Sequence, residues 1–157
     1  MSGERAATAE IMTRKSPESF DLQRFVDAQE ASYALAVAEL RQGLKLTHWM
    51  WYIFPQLCGL GRSPTAWRYG IASLDEARTY LSHAVLGPRL VECTQLVLDA
   101  GKPISAVFPA PDDMKFHSSV TLFAEAAGSG EPIFAEAIEN LCEGEPDAAT
   151  LRLLDKA

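Results

Sequence analysis

The sequence predicts an all-α protein with a compact multihelical domain of about eight helices over residues 20–157 and a flexible N-terminal tail over residues 1–19. Three observations favour this class: apolar residues recur at helical spacing, capping signals mark helix ends, and the connections between helices are short. The chain of 157 residues has 48% hydrophobic and 22% charged residues. This composition is typical of one ordinary globular domain.

The first predicted helix is long. Between Leu22 and Leu44, apolar side chains repeat every three or four residues along one face, and Gly43 can supply a left-handed C-cap. The next apolar segment, His48–Phe54, stops at Pro55. Its length allows a helix or a buried strand, and we favour the helix.

Local signals delimit the later elements. Serine and aspartate are preferred at helix N-caps, whereas glycine and proline are frequent just after a helix ends. The predicted elements are a short helix capped by Ser63 and closed by Gly70, a capping-box helix from Ser73 to about Ser82, a helix over 88–100 ended by Gly101, a brief extended piece at Ile104–Phe108, a helix over 113–126 capped by Asp112, a helix over 133–141 ended by Gly144, and a last helix over 148–155 capped by Asp147.

The overall charge excludes some classes of function. Fourteen Lys and Arg residues against 21 Asp and Glu residues give a net charge of −7, which does not favour a nucleic-acid-binding protein. The longest mostly apolar run, Trp49–Pro55, is far shorter than the roughly 20 residues of a membrane span. Three dispersed cysteines predict neither a disulfide framework nor a zinc site. We expect a cytoplasmic protein without a metal or cofactor.

The charge is unevenly distributed along the chain. No acidic residue lies between Glu39 and Asp75, although Arg41, Lys45, Arg62 and Arg68 do, and the same window holds all three tryptophans. From Phe116 to the end, the net charge is −6. Aromatic faces and cations together can bind a planar anionic molecule such as a nucleotide. An alternative is that the aromatic residues simply form core.

Two features of the window could contribute to such a site. The loop Gly59-Leu60-Gly61-Arg62-Ser63 would let the backbone approach an anion before a helix start. The alternative is that its glycines only turn the chain. His48 falls on one helical face with Trp51. It could bind a ligand, although a buried histidine bonded to a backbone carbonyl is the favoured interpretation.

A second candidate cluster is Asp112–Ser119. On a helix, Lys115 lies one turn from Ser118 and Ser119, where a lysine could assist a serine nucleophile and the aspartates could act as acid or base. The alternative is structural: aspartates suit a first helical turn, and serines permit close packing. The candidate ligand-binding residues are Arg41, Lys45, His48, Trp51, Gly59, Gly61, Arg62, Ser63, Lys115 and Ser118.

Several segments, among them Phe20–Gln29, His48–Leu57 and Thr121–Phe123, resemble a bacterial family of uncharacterised proteins that are often labelled calpastatin or calpain inhibitor. The resemblance spans Phe20–Leu154 and implies a multihelical all-α fold, without an established activity. Calpastatin acts through disordered repeats, and this chain shows no repeat, so we do not expect calpain inhibition. Pro109-Ala110-Pro111 departs from the glycine-containing turn expected there.

The preferred hypothesis is a protein that binds an anionic, nucleotide-like small molecule in an aromatic and basic pocket, with processing of that molecule left open. It predicts that Arg41, Lys45, His48, Arg62 and Lys115 converge on one concave site. The alternative is a non-catalytic helical module for protein interaction. Whether the protein is an enzyme is not decided by the sequence.

Overall fold

The structure, a computed structural model, describes residues 20–156, apart from the side chain of Lys156. The predicted tail, residues 1–19, lies outside this range. Within it the chain forms ten helices, and its extended pairing is a single bridge between Leu57 and Ile71, so the all-α class is confirmed. The helices are α1 (Gln23–Glu30), α2 (Tyr33–Gln42), α3 (Met50–Ile53), α4 (Pro64–Arg68), α5 (Leu74–Ser82), α6 (Leu86–Asp99), α7 (Ile104–Val107), α8 (Asp112–Ala127), α9 (Ile133–Leu141) and α10 (Ala148–Lys156).

The long first helix of the prediction is two helices. Ser32 has φ −129°, outside the helical region, and its hydroxyl donates to the carbonyl of Ala28 at 2.9 Å. A serine hydroxyl that bonds to nearby backbone competes with helix continuation, and this accounts for the break between α1 and α2. Leu44, the end of the predicted apolar face, lies beyond the end of α2 and is exposed. Gly43, with φ +78°, caps α2 as expected.

The extended piece predicted at Ile104–Phe108 is wrong, because these residues form the single helical turn α7. Pro103 precedes the turn with φ −59°, and the amide of Phe108 donates to the carbonyl of Ile104 at 2.8 Å. An apolar run of this length is too short for its period to separate helix from strand. This turn and the break at Ser32 raise the predicted eight helices to ten.

Helix α8 lies at the centre of the fold. It packs most extensively against α5 and α9, and also contacts α10 and α7. All six residues from Ser118 to Phe123 are buried, so this stretch is enclosed on every side. Ser118 and Ser119 are both buried in this stretch, which agrees with the structural alternative. No helix within residues 20–156 is long and apolar enough to cross a membrane.

Arg24 fastens α1 to the segment that leads into α5. Its guanidinium donates to the carbonyls of Arg68 at 2.7 Å and Gly70 at 2.9 Å, and pairs with Glu76 at 3.2 Å. Glu76 also accepts the amide of Ala72 at 2.7 Å. This side chain therefore does not complete the predicted capping box, although Ser73 caps α5 through the amide of Glu76. Buried ionic groups are tolerated here because each one has several partners.

Candidate functional site

A cleft of about 350 Å³ lies between the loop after α2, helix α3 and the segment that enters α8. Four of the candidate ligand-binding residues line it: Lys45, His48, Trp51 and Lys115. Lys45, His48 and Trp51 are close together in the sequence, whereas Lys115 comes from a segment more than 60 residues later. The cleft is therefore a product of the tertiary fold.

Glu39 determines the conformation of the loop that carries Lys45 and His48. Its carboxylate, almost fully buried, accepts hydrogen bonds from the amides of Leu46 at 2.8 Å and Thr47 at 3.1 Å. It also accepts the hydroxyl of Thr47 at 2.7 Å and the indole N–H of Trp49 at 2.9 Å. Four donors on one carboxylate leave the loop little freedom to change shape.

These contacts also change the pKa of Glu39. Burial raises the pKa, but the hydrogen bonds to Leu46, Thr47 and Trp49 outweigh burial and hold it below its ordinary value. A carboxyl whose pKa is lower in the folded state than in the unfolded chain stabilises the fold above the unfolded pKa. That contribution is lost as the pH falls through the folded pKa.

We expect the free energy of unfolding of the native protein to fall more steeply between about pH 6 and pH 3 than that of the Glu39→Gln variant, which has no carboxyl to titrate at this position. Glutamine can keep most contacts, because Oε1 of Glu39 accepts three of the donors and Oε2 faces only the hydroxyl of Thr47. Urea unfolding at a series of pH values measures this. Exposed Glu30→Gln is the control. Parallel curves for the native protein and Glu39→Gln would contradict the assignment.

Three charged side chains interact along the cleft, with one carboxylate between two ammonium groups. The ammonium Nζ of Lys45 lies 2.7 Å from Oδ2 of Asp112, and Nζ of Lys115 lies 3.6 Å from Oδ1 of the same carboxylate. The Lys45 side chain is 7% exposed, whereas that of Lys115 is 25% exposed. Asp112 does not cap α8 as predicted, because Pro111 occupies the N-cap position and the carboxylate is engaged by the two lysines. Lys45 is thus tightly paired, and Lys115 is the more accessible cation.

Each lysine also lies over a tryptophan ring. Nζ of Lys45 is 5.3 Å from the ring centroid of Trp49, and Nζ of Lys115 is 5.0 Å from that of Trp51. Trp49 is buried and packs edge-on against Phe108, as the core alternative predicted. Trp51 is only half-buried and lines the cleft. The cleft thus offers one accessible ammonium beside one accessible aromatic ring.

The structure brings together three of the five residues that were expected to converge on one site. Lys45, His48 and Lys115 line the cleft, but Arg41 and Arg62 do not. Both arginines are exposed, Arg41 on α2 and Arg62 in the loop before α4. His48 is exposed too, so the interpretation as a buried histidine is wrong.

The glycine loop does not reach the cleft. Gly59 adopts φ +106°, which suits a turn, and a Cβ on Gly61 would lie 2.6 Å from that of Ala66. Ser63 caps α4 by accepting the amide of Ala66. Gly61 and Trp51 share a separate depression of about 10 Å³, no larger than one water molecule requires. These residues turn and pack the chain, which is the structural alternative.

Ser118 also lies outside the cleft. Its buried hydroxyl is 3.1 Å from the carbonyl of Met114 and 3.2 Å from the carboxylate of Asp147. Asp147 also accepts the amide of Thr150 at 3.0 Å, which confirms it as the cap of α10. Ser119 is buried among the core helices. Because Lys115 faces Asp112 and Trp51 and neither serine lines the cleft, the geometry gives no lysine-assisted serine nucleophile.

None of the three cysteines has the lowered pKa of a nucleophile. Burial raises the pKa of Cys58, and it raises the pKa of Cys93 to about 12 and of Cys142 to about 11. A thiol must lose its proton to become a good nucleophile or metal ligand. Within residues 20–156, no group of three His, Cys, Asp or Glu side chains is arranged to hold a metal ion.

Sequence reasoning missed two features of the site: the pairing of Asp112, which was named only in a separate candidate cluster, and the segment Pro109–Pro111. Asp112 has a local role available as a helix cap, so its pairing with Lys45 leaves no signal in the sequence. Pro109, Ala110 and Pro111 form one edge of the cleft. Their departure from the family's glycine-containing turn was the one signal that could have pointed to them.

Exposed large apolar side chains are few among the described residues, and they are dispersed along the chain. They are Leu35, Leu44, Leu46, Trp67, Val85 and Met114. Scattered exposed apolar residues are normal for a monomer. The protein-interaction alternative therefore stays a prediction.

Comparisons with known proteins agree with this fold. The sequence matches the DUF1810 family, described as proteins of unknown function, over residues 19–154. The solved structure of the conserved hypothetical protein Rv1873 from Mycobacterium tuberculosis is 51% identical, with a TM-score of 0.85 over 87% of this chain and 98% of that one. No curated protein matches significantly. The chain belongs to the DUF1810 family.

Proposed function

We propose that this protein binds a small anionic molecule with a planar ring in the cleft between α3 and the start of α8. The observation that carries the proposal is the position of Lys115, whose ammonium lies 5.0 Å from the half-buried ring of Trp51 and only loosely against Asp112 at 3.6 Å. An anionic group can take Lys115 as its partner while the ring of the ligand packs against Trp51.

The size of the cleft supports a small ligand. Binding pockets for small molecules occupy roughly 300–1,000 Å³, and a cleft of about 350 Å³ is near the lower end of that range. A mononucleotide or a single aromatic ring with an acidic substituent is the matching class. The proposal concerns binding, and no reaction is assigned to the site.

Replacing Lys115 by alanine is expected to weaken the binding of adenosine 5′-monophosphate or its 5′-methyl ester by about tenfold or more, because a charge-assisted hydrogen bond contributes about 1.5–3 kcal/mol. Trp51→Ala is expected to weaken binding similarly through the loss of ring packing. Isothermal titration calorimetry measures both effects.

Two variants outside the cleft serve as matched controls. Arg62→Ala removes an exposed cation from the same basic part of the sequence, and Trp67→Ala removes an exposed tryptophan. Both should bind like the native protein. If the native protein binds neither of these probes nor adenosine 5′-carboxylate, or if Arg62→Ala weakens binding as much as Lys115→Ala, the proposal fails.

A further inference from the structure

The charged groups of the cleft leave one net positive charge. Lys45 and Lys115 each contribute a positive charge and Asp112 contributes a negative one, with His48, which also lines the cleft, counted as neutral. Asp113, the next residue on α8, does not line the cleft. Lys45 is nearly buried, with Asp112 at 2.7 Å and the ring of Trp49 beside it, so its charge is already compensated. The uncompensated charge is on Lys115.

We infer that Asp112 sets the charge of the ligand, so that the cleft selects a planar molecule with a single negative charge. This inference rests on the proposed function. A carboxylate or a phosphodiester beside Lys115 would neutralise the site. A phosphate monoester with two charges would leave a negative charge without a partner close to the carboxylate of Asp112, and a partly buried charge without a partner is unfavourable.

The geometry makes Asp112 suited to this role. Its two oxygens face different lysines, Oδ2 at 2.7 Å from Lys45 and Oδ1 at 3.6 Å from Lys115. Any anion that reaches Lys115 therefore also approaches Asp112. The repulsion grows with the charge of the anion, and beside the carboxylate of Asp112, whose side chain is 17% exposed, it is stronger than in bulk solvent.

The test compares ligands that share one ring and differ in charge. Adenosine 5′-monophosphate carries about two negative charges at pH 8, whereas its 5′-methyl ester and adenosine 5′-carboxylate carry one. Calorimetry at constant pH and low salt gives the dissociation constant of each. We expect the native protein to bind at least one of the singly charged ligands more tightly than the monophosphate, and the tighter of the two identifies phosphodiester or carboxylate as the preferred group.

Variants that change the net charge should shift this preference in opposite directions. Asp112→Asn is expected to raise the affinity for the monophosphate relative to the singly charged ligands by about tenfold. Lys45→Met is expected to lower that relative affinity. The double variant Asp112→Asn with Lys45→Met has the net charge of the native cleft and should restore the native ratio. The single variant Asp112→Asn leaves the buried Lys45 without a partner. If that protein does not fold, the double variant, which removes both charges, still provides the test.

The outcomes separate the two proposals. If the probes bind but their relative affinities stay the same in all variants, this result would overturn only the inference that Asp112 sets the charge of the ligand. A native protein that prefers the monophosphate to both singly charged ligands would do the same. Absence of binding of all three probes to the folded native protein would overturn the proposed function, and this inference with it.

Discussion

Replacing Glu39 by alanine is expected to lower the free energy of unfolding by about 3–4 kcal/mol, because buried donors left without an acceptor cost about 1–3 kcal/mol each. The variant removes the acceptor of the indole N–H of Trp49 and of the amides of Leu46 and Thr47. The Trp49 ring is buried beside Phe108, so its indole N–H loses a partner that bulk water reaches only through the space vacated by the Glu39 side chain.

Urea unfolding at neutral pH measures the change. Glu30→Ala, at the exposed end of α1, is the matched control and should alter stability by less than about 0.5 kcal/mol. Equal effects for the two variants would show that the carboxylate of Glu39 does not hold the loop. A full recovery by Glu39→Gln at neutral pH would show that hydrogen bonding, and not charge, carries the effect.

Replacing Gly87 by alanine is expected to destabilise the protein by about 3 kcal/mol, at the upper end for overpacked cores. Gly87 is buried in the first turn of α6, and an added Cβ would lie 2.1 Å from the carbonyl oxygen of Leu81 and 2.9 Å from its carbonyl carbon. Both atoms are backbone atoms of α5. A side chain could rotate away, but here the helix itself must move.

Thermal and urea unfolding of the Gly87→Ala protein test this close approach of α5 and α6. Gly130→Ala is the control, since a Cβ there would lie 3.2 Å from the carbonyl of Ala127 in an exposed turn. A Gly87→Ala protein as stable as the Gly130→Ala control would mean that α5 and α6 can separate at little cost.

The features that the sequence predicted correctly are mostly local. Ser63, Ser73 and Asp147 cap the helices that follow them, because an N-cap bond joins residues two or three apart and leaves a recognisable pattern. The break at Ser32 is local as well, but a serine hydroxyl bonded to its own helix leaves the apolar spacing unchanged. The apolar periodicity therefore gave no indication of the break.

The candidate site was predictable only in part. The basic and aromatic window contains Lys45, His48 and Trp51, which the fold places at one cleft, since an uneven distribution of charge is visible in the sequence. The same reasoning included Arg62, because a charge pattern does not reveal which side of a loop faces solvent. It also could not reveal that Asp112 neutralises Lys45, because that contact joins elements that meet only in the folded chain.

Trp51 contributes to the walls of both the cleft and the small depression near Ala66 and Gly70. The ring therefore has open space on two sides, and the ammonium of Lys115 lies 5.0 Å from its centroid. A ligand that packs against the ring would restrict its rotamers, and the side-chain entropy lost in this way is one of the costs of binding. The indole is thus an adaptable wall of the cleft, and part of the energy of each ligand contact would be spent on ordering it.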